Sequence, residues 1–112
     1  MNVTISSDAS LSGAFDTGAT TSAAKIVGFI MPSGWDAADF TFQGSDDNSI
    51  FNNVYDDNDA EVTVQAAASR AVGLRNDAQQ LLSSFRYLKI RSGTSGTPVT
   101  QSAERIIVAL LK

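Results

Sequence analysis

Short apolar stretches alternate along this chain with clusters of Gly, Pro, Asn, Asp and Ser, and only one stretch suits a helix. Alternation with a period of two marks a half-buried strand, because successive side chains point to opposite faces. Residues 3–5 alternate in this way, and 10–15 give a second short strand before a turn at 18–21. The section 1–21 is rich in Ser, Thr, Ala and Gly, so it reads either as a partly flexible arm or as edge strands. Residues 25–31 (KIVGFIM) are apolar on both faces, the pattern of a central strand, and Pro32-Ser33-Gly34 ends it. Residues 39–45 (DFTFQGS) place Phe40 and Phe42 on one face; after a turn at Asp46-Asp47-Asn48, residues 50–55 return as a hairpin.

A second acidic turn, 56–59, precedes alternation at 61–64 (EVTV) and again at 71–74. Residues 76–82 (NDAQQLL) form the helical turn, with Asp77 placed to cap it and Gln80 three positions on. Residues 85–91 (FRYLKIR) make a strand with Leu88 and Ile90 inward, so that Tyr87, Lys89 and Arg91 point outward. A Gly/Ser/Thr loop at 92–98 leads to 105–111 (RIIVALL), again apolar on both faces and read as a central strand. About eight strands spaced 8–15 residues apart, with little helix, predict an all-β fold. We read it as one β-sandwich domain over 1–112, jelly-roll-like.

Composition narrows the chemistry. The chain has no Cys and no His, which removes disulfides, thiolate sites and His-ligated metals. It also removes the commonest general base. No stretch approaches the ~20 apolar residues that span a bilayer. The first ten residues are polar, without the apolar run of a signal peptide, so we expect a soluble product of the cytoplasm. A net charge of −4 argues against a nucleic-acid partner. That charge is unevenly spread: residues 1–61 hold ten acids and one base, and 62–112 hold seven bases and two acids. Folding either interleaves the two halves or leaves opposite patches that favour association.

Four groups of residues are candidates for a site. Asp56, Asn58, Asp59 and Glu61 supply oxygen ligands on one short loop, as calcium requires. The loop lacks the EF-hand pattern, because Ala60 stands where a ligand is needed, and Asp and Asn make turns without any metal. We therefore expect neither a metal nor a cofactor. Trp35 and Tyr55 are the candidate platform for a sugar ring, although Trp35 just after a strand also suits a plug at the end of the core. Arg86, Tyr87, Lys89 and Arg91 form a basic-aromatic stripe of the kind enriched in protein interfaces. The carboxylates stand in no constellation with a nucleophile, and 92–96 (SGTSG) lacks the spacing of a phosphate loop. An enzyme is not expected.

Two segments, FTFQGSDDNSIFNNVY (40–55) and FRYLKIR (85–91), resemble jelly-roll domains of the galactose-binding or discoidin type. The Asp-Gly usual in the hairpin turn of such domains is Asp47-Asn48 here. Over nearly the whole length, three runs in order resemble small capsid decoration (cement) proteins of tailed bacteriophages. They are VGFIMPSGWDAADFTFQGSDD, NVYDDNDAEVTV and FRYLKIRSGTSGTPVTQSAERIIVALL, with Arg91 to Ser95, Pro98, Gln101 and Arg105 carrying the last. That resemblance implies a virion protein on the outer capsid surface, made in the host cytoplasm. Its partners would be the major capsid protein and copies of itself, as a trimer, with no nucleic acid or membrane bound. The rival reading is a carbohydrate-binding module of a phage tail or baseplate, using Trp35 and Tyr55.

Overall fold

Alternating apolar side chains need two facing sheets to bury them, and the computed structural model, which describes residues 1–18 and 25–112, has that arrangement. The strands among these residues are β1 (Asn2–Ile5), β2 (Phe15–Asp16), β3 (Ile26–Ile30), β4 (Phe40–Ser45), β5 (Asn52–Asn53), β6 (Ala71–Gly73), β7 (Tyr87–Ser92) and β8 (Arg105–Leu111). One helix, α1 (Asn76–Leu82), lies between β6 and β7. The first sheet runs β1-β8-β3-β6 and the second β2-β7-β4-β5, with every pairing antiparallel.

Pairing β1 with β8, β2 with β7, β3 with β6 and β4 with β5 describes one long ribbon folded at the β4–β5 hairpin. Wrapped so that its rungs fall alternately in two sheets, this ribbon is a jelly roll. The all-β sandwich expected from spacing is therefore the fold. Strand length follows position: the inner strands have 7, 5, 6 and 6 residues, and the outer ones 4, 3, 2 and 2.

Between the sheets, Val3, Ile5, Ile26, Phe29, Ile107 and Ala109 meet Phe40, Phe42, Leu88 and Ile90, all buried. The rings of Phe29 and Phe40 meet edge to face at 4.9 Å, and those of Phe40 and Phe42 at 5.7 Å. Edge-to-face contact is the arrangement that ring quadrupoles favour. Leu82 of α1 is fully covered as well.

Three local expectations are revised. The strand foreseen at 61–64 is not continuous, because its bonding partners lie on two different segments. Val62 donates to Val54, whereas Val64 exchanges bonds with Phe40. The return strand of the hairpin shrinks to Asn52–Asn53, since Asp47 Oδ1 takes the amides of Ser49 and Ile50 out of the ladder. Helix α1 occupies the expected residues, but Asp77 is not its cap. Arg75 stands at the cap without a capping side-chain hydrogen bond, and Asp77 Oδ1 accepts from the amide of Ala78 and pairs with Arg75 Nε at 3.7 Å. In the 1–21 section, β1 and β2 are edge strands with Val3 and Ile5 in the core; of the turn at 18–21, residues 19–21 lie outside the described residues.

Candidate interaction surfaces

The outer face of the second sheet carries the basic-aromatic stripe. Leu88 and Ile90 point inward and are fully buried, which turns Tyr87, Lys89 and Arg91 to the other side. Tyr87 and Lys89 are half-buried, but Arg91 is only 6% exposed, which corrects the expectation of an open cation there. Its guanidinium donates to Glu61 Oε2 at 2.8 Å, Asn53 Oδ1 at 2.8 Å and Thr41 Oγ1 at 3.1 Å. Glu61 Oε1 in turn accepts the amide of Ser95 at 3.1 Å. Alternation names the face of Arg91 but is silent about the loops that fold over it.

The other two cations are also engaged. Arg86 forms an ion pair with Asp16 at 3.0 Å and stacks on Tyr87 at 5.0 Å. The Arg86 hydrogen bonds, helped by the Gly18 amide, hold the Asp16 carboxyl below its ordinary range. Lys89 Nζ sits 4.4 Å from the ring centre of Phe51. Each cation of the stripe thus has an internal partner, which lowers its value as a docking charge.

Trp35 is 5% exposed, its indole donating to Ala38 O at 2.9 Å and its ring meeting Phe40 edge to face at 6.4 Å. It plugs the end of the core and cannot present a face to a sugar. Tyr55 is exposed and its hydroxyl meets Ser95 Oγ at 3.3 Å, so the two aromatics share no platform. Tyr55 instead edges a groove of about 470 Å³ at the hairpin, lined also by Asp47, Ile50, Asn52, Val54 and Phe85.

The calcium candidates are occupied by turn-making. Asp56 Oδ1 accepts the amides of Asn58 and Ala60, each at 2.9 Å, and Asp59 adopts a left-handed φ of 65°. Glu61 is turned away onto Arg91. Among the described residues, no three acidic side chains converge as metal ligands would.

A second buried polar cluster was marked in the sequence only through the resemblance that Gln101 and Arg105 help to carry. Gln101 is fully buried; its Oε1 accepts the Asp36 amide at 2.8 Å and Arg105 Nε at 3.3 Å. Its Nε2 donates to Ser92 Oγ at 2.8 Å and Asp36 O at 3.2 Å. The Asp36 carboxyl is held below its ordinary range by the amide and hydroxyl of Ser102 and by Arg105. A lone polar residue in a loop gives no hint of such a role.

The outer face of the first sheet is different in kind. Inward Ile107 and Ala109 on β8 leave Ile106, Val108 and Leu110 on the outside, where Ile106 and Leu110 are 43% and 38% exposed. Register places Ile30, 41% exposed, beside Val108, and Gly28 beside Leu110. On the far side of β3, Gly28 faces Gly73 and Ile30 faces Ala71. A Cβ on Gly28 would lie 2.6 Å from Val72 O and 3.5 Å from the Leu110 side chain, whereas one on Gly73 would meet nothing. The face is therefore an aliphatic ridge beside a shallow floor of glycine. Two stretches apolar on both sides do mark inner strands, as expected, but among the described residues only one side of each is covered.

No family model matches the chain, and neither the curated proteins nor the solved structures give a match.

Proposed function

We propose that this protein is a non-enzymatic component of a tailed-phage virion that decorates and stabilises the capsid. It binds the major capsid protein and copies of itself on the outer surface of the shell, and it needs no cofactor. The observation that carries this reading is the aliphatic outer face formed by Ile30, Ile106, Val108 and Leu110. Contiguous exposed aliphatic surface on a small protein marks contact with other macromolecules. The resemblance of three long segments to capsid decoration proteins supplies the kind of partner. Modest contacts repeated over a symmetric lattice add up through avidity, so no single site has to be tight.

Co-sedimentation with expanded capsids tests the reading. Saturable, stoichiometric uptake and a raised capsid melting temperature are expected, together with no signal on a glycan array. Glycan binding without capsid uptake would replace the reading with that of a carbohydrate module.

A further inference from the structure

Along β8 the outer face reads Ile106, Val108 and Leu110, alternate positions that project to one side, and Glu104 and Lys112 flank the two ends of that strand. Glu104 and Lys112 are exposed, and neither forms an ion pair among the described residues. Lys25 exchanges backbone bonds with Lys112 at 2.8 and 2.9 Å, which sets a second lysine at the same end. The stripe thus runs acid, three aliphatics, base, and is complementary to itself when reversed.

We propose that this face pairs two copies of the protein about a two-fold axis over Val108, with the β8 strands antiparallel. The inference deepens the self-association part of the capsid reading and rests on the same face. Reversal sets each Glu104 against Lys112 and Lys25 of the other copy. It also sets Ile106 against the Leu110 end, where Gly28 and Gly73 leave a shallow floor. Such a self-complementary patch is what an isologous interface requires, and sheets stack face to face in this manner in sandwich cores.

Size decides the strength. Strands of 4, 7, 5 and 3 residues, at a rise of ~3.4 Å per residue and a spacing of ~4.8 Å, give the face roughly 310 Å², or about 620 Å² for a pair. That lies well under the ~1,000 Å² of specific stable interfaces, which makes the pair weak and reversible. A pair also differs from the three-fold grouping that the resemblance implies.

Sedimentation velocity across the micromolar range tests the proposal. A monomer–dimer equilibrium is expected, weakened at least ~10-fold by Ile106→Lys, which inserts a charge among the aliphatic side chains of the contact. Glu104→Lys should weaken it as well, and the triple swap Lys25→Glu, Glu104→Lys, Lys112→Glu should restore it. Circular dichroism of each variant confirms that the fold is kept. A monomer at all concentrations, a trimer, or a triple swap no tighter than Glu104→Lys alone overturns the pairing. Capsid uptake is measured on the same variants: a clean dimer that ignores capsids overturns only the capsid reading. Uptake by a wild-type protein that never dimerises overturns only the pairing.

Discussion

Arg91 is the one charged side chain buried among the described residues. Its position in a period-two strand puts it on the outer face, yet it is enclosed by Glu61, Asn53 and Thr41. A guanidinium suits this place because its planar fork serves three acceptors in different directions. Removing it strands a carboxylate that is itself only 13% exposed. Breaking a buried pair from one side typically costs ~3–5 kcal/mol. Arg91→Ala should therefore lower the urea midpoint strongly, and Arg91→Lys should recover only part of the loss. A variant as stable as wild type would show that the network contributes little. What sequence could not supply here was the partner: Glu61 lies 30 positions away, and loop closure rather than strand pattern brings the two together.

At the scale of elements, continuous alternation was the reliable guide. The residues expected for the last strand and for the helix are those of β8 and α1, where pattern and length agree. Where side chains compete for backbone groups, pattern fails. Asp47 shortens β5 by capturing amides, and 61–64 divides its bonds between two neighbours. The hairpin turn that departs from the usual Asp-Gly is accommodated because Asn48 takes a left-handed φ of 60°. Asparagine tolerates that region and β-branched residues do not, at ~1–2 kcal/mol per residue. Asn48→Val should destabilise by about that amount in thermal melts, whereas Asn48→Gly should be neutral or slightly stabilising. Equal effects of the two would mean that the turn relaxes to another type. The exposed side of β3 and β8 was legible only as a double-sided apolar pattern, which a buried sheet would give equally well.

For the whole molecule, folding partly cancels the charge division along the chain. The ion pairs Arg86–Asp16, Arg91–Glu61 and Arg105–Asp36 each join an acid of the first part to an arginine of the second. Asp16 and Asp36 lie in two of these pairs, and Asp47 holds the hairpin turn through the Ile50 and Ser49 amides. All three carboxyls titrate below their ordinary range in the folded protein. As pH falls, the unfolded chain takes up these protons first, so their stabilising effect is complete above about pH 4 and declines below it. Denaturant midpoints measured from neutral to acidic pH should fall in that lower window, and Asp36→Asn should flatten the decline. A midpoint independent of pH there would remove these carboxyls from the account of stability.

The gradient of strand length, longest at the centre of each sheet and shortest at its borders, bears on how copies can meet. An unpaired strand edge is a template for another backbone, and long ones seed strand exchange and fibres. Here each border offers between two and four residues, too few to hold an incoming strand in register. Among the described residues, such short borders disfavour lateral growth and leave side-chain surfaces as the better route for copies that associate. The proposed pair, stacked through its faces, would close on itself instead of propagating as a cross-β ribbon.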